Sequence, residues 1–221
     1  MKKVGVLRFL GTNCDADVMS ACGDLEISAE YVWWADHFDY RQYSAFILPG
    51  GFSYGDYLRC GAMAARTPAM DDVREAAKNG CPVLGICNGF QILCEAGLLP
   101  GALTKNISRQ FQDEWVSMTT TSNGGFWDGG KGNGNGNGTV TLPIAHSMGR
   151  YFAEAHELDE LFQNDQVWLK YTANPNGSLR DIAGILNKKK NVAALMPHPE
   201  RAMHEWMGGD QGRVFFERLR T

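Results

Sequence analysis

The stretch 82–91, PVLGICNGFQ, decides the fold of this chain. Its apolar residues up to Ile86 predict a buried strand, and a helix is predicted to begin at about Asn88. Glycines two residues either side of Cys87 give the Gly-x-nucleophile-x-Gly pattern of a sharp strand-to-helix turn, with Cys in place of Ser. The free N–H groups and dipole at a helix start favour a thiolate there. An isolated Cys is more often an inert buried thiol, but the strand and the two glycines favour Cys87 as a nucleophile.

A nucleophilic thiol needs a base, and the base needs an orienting group. The stretch 197–200, PHPE, follows a second apolar run. Its two prolines favour extended backbone, in which residues two apart project from the same side. Glu200 is therefore predicted to hydrogen-bond one nitrogen of His198 and leave the other for Cys87. Taken singly, His198 fits a loop histidine and Glu200 a solvated surface charge, and it is the nucleophile turn that favours the functional interpretation.

An acyl transfer also needs hydrogen-bond donors for the developing oxyanion. The backbone N–H of Asn88, directly after the nucleophile, is one candidate. The glycine-rich stretch 49–56, PGGFSYGD, is predicted to supply another donor, because glycines let backbone N–H groups approach a ligand. Gln91 lies one helical turn after the nucleophile, where its side chain could hold a substrate amide. The alternatives are that 49–56 is an ordinary glycine-rich turn and that Gln91 is a surface residue. The predicted substrate-binding residues are Gly50, Gly51, Phe52, Asn88 and Gln91.

Composition limits the remaining classes of function. The 221 residues, 44% of them hydrophobic, suit one domain spanning 1–221 with a real core. The net charge is −4 and no basic patch is apparent, so nucleic-acid binding is not expected. No apolar run approaches about 20 residues, so neither a membrane span nor a membrane partner is expected. Six cysteines without a Cys-x-x-Cys pair or a signal segment fit reduced thiols in the cytoplasm, with no metal site.

Strands alternate with helices in the first half, which predicts an α/β fold with a mostly parallel sheet and helices on both faces. The second half is read as a β-rich C-terminal extension of the same sheet. The Gly/Asn-rich segment 123–138 has eight Gly in 16 residues and is predicted to be a mobile hairpin tip. The predicted strands are 4–9, 29–33, 45–48, 82–86, 115–120, 139–142, 167–171, 182–187 and 192–196. The predicted helices reach about 25, then span 61–78, 88–97, 154–162 and 211–219.

Taken together, these pieces resemble the class I glutamine amidotransferases, and among them the glutaminase subunits of phosphoribosylformylglycinamidine synthase (PurQ type). The resemblance spans nearly the whole chain and implies a flavodoxin-like fold. The motifs that carry it are 8–15 RFLGTNCD, 48–59 LPGGFSYGDYLR, 85–91 GICNGFQ, 143–146 PIAH, 174–178 NPNGS and 196–201 MPHPER.

The resemblance implies specific roles. Cys87 attacks the side-chain amide of L-glutamine, His198 relays protons, and Glu200 orients His198. Ammonia passes to a separate ATP-dependent synthase subunit, which converts formylglycinamide ribonucleotide to its amidine in purine synthesis, and a small third subunit helps to assemble the complex. ATP and Mg are expected in the synthase partner, and no cofactor is expected in this chain. The glutaminase alone is expected to be nearly idle until docked.

This sequence departs from the family's usual pattern at several positions. Leu10 stands where Pro is usual, and Glu114 reverses a charge. Ser147 and Met148 replace the Gly-Glu pair that usually follows the histidine, and Ala173 stands where an acidic or amide residue is common. We expect these positions to line the partner interface or the glutamine pocket, so that the chemistry is retained while partner contacts differ.

Two other functions stay open. The chain would fit another Cys hydrolase of the same fold, such as a PfpI-type peptidase or a γ-glutamyl hydrolase, although the peptidases usually place their His directly after the nucleophile, where this chain has Asn88. It would also fit a catalytically weak or inactive scaffold that binds a synthase. The presence of Cys87, His198 and Glu200 argues against the scaffold.

Overall fold

The computed structural model describes residues 2–121, 125–127 and 138–220. Within these residues, nine strands form one sheet in the spatial order β2-β1-β3-β4-β11-β10-β9-β6-β7, and two short strands, β5 and β8, pair separately. The strands of the large sheet are β1 (Lys3–Arg8), β2 (Ala29–Trp33), β3 (Tyr43–Leu48), β4 (Val83–Ile86), β6 (Gln112–Thr120), β7 (Thr139–His146), β9 (Val167–Tyr171), β10 (Ile182–Leu186) and β11 (Val192–Leu195). The short strands are β5 (Ala102–Thr104) and β8 (Arg150–Phe152).

The large sheet has a parallel half and an antiparallel half. Strands β2, β1, β3, β4 and β11 pair in parallel, whereas β10, β9, β6 and β7 continue the sheet with antiparallel pairs. Every residue of β4 and β11 is buried, as expected of central parallel strands with both faces covered. The predicted α/β fold, with its β-rich extension of the same sheet, is confirmed, and the last two strands, β10 and β11, form an antiparallel pair.

The helices are α1 (Asp15–Asp24), α2 (Pro68–Lys78), α3 (Asn88–Glu95), α4 (Ala155–Gln163) and α5 (Val214–Glu217). The unit β1-α1-β2 steps along the sheet in one direction, and the unit β3-α2-β4 steps in the other. Because crossovers between parallel strands are right-handed, these opposite steps place α1 and α2 on opposite faces. No helix of the described residues is long and apolar enough to cross a membrane.

Two predicted helices are shorter in the structure. The helix predicted over 61–78 begins only at Pro68, after a separate 3₁₀ turn. Proline lacks an N–H and disfavours helical backbone at the residue before it, Thr67, so it sits well only at a helix start. The helix predicted over 211–219 is reduced to α5, and Gly212, just before it, packs directly against the carbonyl groups of Pro199 and Ala202.

Other differences concern short or glycine-rich segments. Strands β5 and β8 were not predicted, since three residues are too few to show a periodic pattern. Most of the Gly/Asn-rich segment 123–138, with the mobile tip predicted for it, lies outside the described residues. Trp127, which is described, is buried, and its indole N–H donates to the carbonyl of Asn191 at 3.0 Å.

Candidate active site

The strand-to-helix turn predicted at Cys87 is present between β4 and α3. Cys87 has φ +50° and ψ −103°, a strained conformation for a residue with a side chain. Its N–H donates to the carbonyl of Leu195 in β11 at 2.8 Å, which ties the turn to the end of the sheet. A Cβ atom at Gly89 would collide with the carbonyl oxygen of Leu48, and one at Gly85 would lie 2.8 Å from the backbone of Gly89. The turn therefore requires both glycines.

His198 and Glu200 meet directly after β11. The imidazole Nδ1 of His198 lies 2.6 Å from Oε1 of Glu200, and each residue is 2% exposed. The backbone does not stay extended as predicted, because residues Pro199–Arg201 form a 3₁₀ turn. That turn nevertheless brings the carboxylate to Nδ1. Nε2 of His198 is buried and has no hydrogen-bond partner among the described residues, so it is the nitrogen left for Cys87.

The electrostatics of this group favour a protonated His198. Burial alone lowers the pKa of the ring, but the charges of Glu200 and Cys87 outweigh it and raise the pKa of His198 well above its ordinary value. An imidazolium between a carboxylate and a thiol is the arrangement that stabilises a thiolate.

Four of the other cysteines have a different environment. Burial raises the thiol pKa to about 12 in Cys22 and Cys60, raises it to about 11 in Cys81, and raises it further in Cys94. These thiols stay protonated and unreactive at neutral pH. All six cysteines are free thiols in the structure.

A cavity of about 170 Å³ opens over the nucleophile. Its lining includes five residues predicted for the site, namely Cys87, His198, Gly51, Phe52 and Gln91. Pockets for drug-sized ligands are several hundred Å³, so this one suits a molecule of amino-acid size.

Two predicted substrate-binding residues do not line this cavity. A Cβ atom at Gly50 would lie 2.8 Å from Cε1 of His198, so the glycine gives the imidazole room to pack against the strand end. The side chain of Asn88 is buried, and its Oδ1 accepts from the backbone N–H of Ser53 at 3.2 Å. Asn88 thus fastens the glycine-rich loop to α3. Donation from the Asn88 N–H and from the Gly50–Gly51 backbone to an oxyanion stays a prediction.

Gln91 lines the cavity, but its amide is engaged by the protein. Oε1 accepts from Nδ2 of Asn88, and Nε2 donates to the carbonyl of Met148, each at 2.7 Å. Gln91 therefore links the nucleophile helix to the opposite wall of the cavity. Its predicted contact with the substrate amide stays a prediction.

That opposite wall, the segment 146–149, is held by a buried polar network that sequence reasoning missed. The side chain of Asn106 donates to the carbonyl of His146 at 2.9 Å and accepts from the N–H of Gly149 at 3.0 Å. Asn176 donates to the carbonyl of Gly149 at 2.9 Å. All three polar side chains, of Asn106, His146 and Asn176, are buried. The only sequence signal was that two of them fall in motifs of the resemblance, 143–146 and 174–178.

The ring of His146 is held in this network as a neutral imidazole. Its Nδ1 lies 3.2 Å from Oδ1 of Asn106, and its Nε2 lies 3.5 Å from Nδ2 of Asn176. A proton on Nδ1 and a lone pair on Nε2 satisfy both contacts. Burial, and then the charge of His198, lower the pKa of His146 to about 4.

A metal site was not predicted, and the part of the chain that the structure describes offers one group of possible ligands. Atoms of Cys14, His198 and Glu200 lie within 4.8 Å of one another. However, the guanidinium of Arg201 lies 3.1 Å from the sulfur of Cys14, and a positive charge at that distance opposes a cation. We interpret the group as the hydrogen-bonded surroundings of His198.

Comparison with known proteins identifies the family. The profile of the CobB/CobQ-like glutamine amidotransferase domain matches residues 1–211. The chain belongs to the CobB/CobQ-like glutamine amidotransferase family. The resemblance found in the motifs is therefore confirmed at the level of the family.

Within this amidotransferase family, the chain is similar over nearly its full length to two PurQ subunits and to a chain of a PurLQS structure. The phosphoribosylformylglycinamidine synthase subunit PurQ of Methanosarcina mazei is 47% identical, and that of Methanosarcina acetivorans 45%, each over 98% of this chain and 96% of the relative. A chain in the structure of PurLQS from Thermotoga maritima is 41% identical, with a TM-score of 0.88 over 99% of this chain and 98% of that one. Of the departures from the family pattern, Ser147 and Met148 line the cavity.

Proposed function

We propose that this chain is the glutaminase subunit of a phosphoribosylformylglycinamidine synthase. It hydrolyses L-glutamine to glutamate and ammonia, and the ammonia is used by a partner synthase in purine biosynthesis. The observation that carries the proposal is the pairing of His198 with Glu200 at 2.6 Å in a cavity that His198 and Cys87 both line, while Nε2 of the same ring has no hydrogen-bond partner among the described residues. The 45–47% identity to two PurQ subunits over nearly their full length supports the choice of partner and pathway.

In the proposed reaction, the sulfur of Cys87 attacks the side-chain amide carbon of glutamine. The N–H of Asn88 and the backbone at Gly50–Gly51 stabilise the oxyanion that forms. The imidazolium of His198 gives its Nε2 proton to the leaving nitrogen, and ammonia departs from a glutamyl thioester. His198 then takes a proton from water, which attacks the thioester, so that glutamate leaves and the thiol is restored. Glu200 holds the ring in orientation throughout.

The proposed partner is the ATP-dependent synthase subunit, with a small third subunit in the complex, and the family resemblance supports both. ATP and Mg would act in the synthase and not in this chain. The proposed setting is the cytoplasm, which is consistent with six free thiols.

The decisive experiment measures glutamate release from glutamine with and without the synthase subunit, ATP and formylglycinamide ribonucleotide. We expect release to rise sharply in the full mixture and to vanish in Cys87→Ala, while the circular dichroism of that variant stays unchanged. Full activity of Cys87→Ala would refute the nucleophile. An absence of glutamate in every mixture, with the synthase shown to bind, would favour the inactive scaffold.

The other Cys hydrolases are tested in the same assay. A peptidase or γ-glutamyl hydrolase would cleave γ-glutamyl peptides without any synthase. The small volume of the cavity, about 170 Å³, argues against such larger substrates, and release of peptide products by the chain alone would overturn our choice.

A further inference from the structure

A basic groove lies beside the active-site cavity. It has a volume of about 970 Å³ and follows the two-stranded sheet of β5 and β8 and the loop after β5. Four basic side chains and one acidic one line it: Arg59, Lys105, Arg109, Arg150 and Glu95. The cations come from three separate parts of the chain, which is why no basic patch is visible in the sequence.

Only one of the four cations, Arg59, forms an ion pair among the described residues, and the guanidinium of Arg150 donates to the carbonyl of Gly177 at 3.0 Å. Arg59 forms a two-pronged ion pair with Glu95, at 2.5 and 2.6 Å. Lys105 and Arg109 are exposed, and neither forms an ion pair with any residue that the structure describes. In a chain with a net charge of −4, unpaired cations gathered in one groove attract an acidic ligand.

The groove shares a wall with the glutamine cavity. Ser147 and Met148 line both of them. The carbonyl of Met148 accepts the hydrogen bond from Gln91 on the nucleophile helix, and its sulfur lies 3.2 Å from the sulfur of Cys60. A ligand that presses on Met148 from the groove therefore acts on the wall of the catalytic cavity.

We propose that this groove binds an acidic segment of the synthase partner, and that docking there adjusts the glutamine cavity through Ser147 and Met148. The inference rests on the proposed function, because it assigns a contact surface to the partner named there. It also gives a physical route by which a docked synthase changes the glutaminase.

The lining favours a peptide over a phosphate ligand. Ile107, which is 69% exposed, and Leu103 are apolar residues that line the groove. Cations interleaved with apolar side chains match a segment that carries both carboxylates and apolar residues. Arg and Lys side chains also bind phosphate, but the glycine-rich loop whose closely spaced N–H donors complete many nucleotide sites is absent here, since glycine is not among the lining residues of the described groove.

The test reverses the two exposed charges that form no ion pair among the described residues, those of Lys105 and Arg109. Lys105→Glu/Arg109→Glu is compared with Lys78→Glu/Arg218→Glu, which makes the same change of charge at two exposed positions outside the groove. Binding of the chain's own synthase is measured by isothermal titration at low and at high salt, together with glutamate release by the free and the docked chain. We expect the groove variant to bind the synthase at least about tenfold more weakly at low salt, with a much smaller effect at high salt. Its release of glutamate without synthase should equal that of the wild type, and the control pair should bind like the wild type.

Each other outcome has a definite meaning. Synthase binding by the groove variant within twofold of the wild type would overturn the inference and leave the proposed function intact. Failure of the wild-type chain to release glutamate in any mixture would instead refute the proposed function. ATP titrated into the free chain tests the phosphate alternative. ATP binding that the groove variant loses and the control pair keeps, while the groove variant still binds the synthase, would also overturn our assignment. The milder Lys105→Gln/Arg109→Gln variant repeats the test should the double reversal disturb folding.

Discussion

His146 should make the stability of this protein fall at mildly acidic pH. Its ring is buried as a neutral imidazole between Asn106 and Asn176, and its pKa is lowered to about 4. In the unfolded chain a histidine has a pKa of about 6.5. Between these two values the unfolded state binds a proton that the folded state does not, so the free energy of unfolding decreases as the pH falls. The stability from a neutral His146 is present above about pH 6.5 and is lost as the pH falls toward about 4.

The size of the effect follows from the two pKa values. The difference between 6.5 and about 4 corresponds to about 3 kcal/mol in full, of which about 2 kcal/mol is already lost at pH 5. His198 does not obscure this window. Its pKa is raised, so its contribution is fully present below about pH 6.5 and is lost only as the pH rises through its folded value.

The assay is urea unfolding of the wild type and His146→Gln at pH 7.5, 6 and 5, followed by circular dichroism. Carboxylates titrate in both proteins, so the difference between the two unfolding free energies isolates the histidine. We expect that difference to move by about 2 kcal/mol in favour of the variant between pH 7.5 and pH 5. His156→Gln, at an exposed position of α4, is the matched control and should differ from the wild type by less than about 0.5 kcal/mol throughout. Parallel curves for the wild type and His146→Gln would show that the reasoning about burial and tautomer is wrong.

Three further changes test the site. Glu200→Gln removes the carboxylate that holds the His198 ring, so kcat for glutamate release by the docked chain should fall by about 10²–10⁴-fold, and an unchanged kcat would contradict the orienting role. Gly89→Ala should lower the free energy of unfolding by about 2 kcal/mol or more, because the added methyl group meets the carbonyl of Leu48 in β3. Gly23→Ala is the control, because its methyl group would enter open space. Equal urea midpoints for the two variants would refute the packing argument. Asn106→Ala removes two hydrogen bonds that hold the cavity wall. KM for glutamine should therefore rise about tenfold or more, while the rate of alkylation of Cys87 stays at the wild-type value. A loss of alkylation with KM unchanged would disprove this positioning role.

The sequence predicts the site best where a local rule is strict. The turn at Cys87 is visible because a strained conformation between a strand and a helix leaves room only for glycine at positions 85 and 89. The pairing of His198 with Glu200 is visible because both lie in one short segment. Their close contact survives although the backbone turns where extended structure was predicted, since two residues of separation allow the contact in either conformation.

The sequence predicts poorly what only tertiary structure brings together. The network of Asn106, His146 and Asn176 joins three distant segments, and a buried asparagine has no signature that separates it from a loop asparagine. The basic groove was missed for the same reason, because its cations come from three separate parts of the chain. The start of α2 was missed for another reason, because the apolar face of the predicted helix continued through residues that the structure places in a 3₁₀ turn before Pro68.

The two buried histidines also explain how the site assigns its proton. They lie close enough that the charge of His198 lowers the pKa of His146, so only one of them is an imidazolium at neutral pH. His198 is the protonated ring because the carboxylate of Glu200 lies 2.6 Å from it. The ring nitrogens of His146 instead contact the neutral amides of Asn106 and Asn176. A carboxylate beside one ring and burial of the other, without a carboxylate, thus push the two pKa values apart, which separates a proton carrier from a neutral part of the wall. On this reasoning the burial of His146 is as necessary as the carboxylate, because a positive charge on His146 would lower the pKa of His198 and disfavour the imidazolium that must protonate the leaving ammonia.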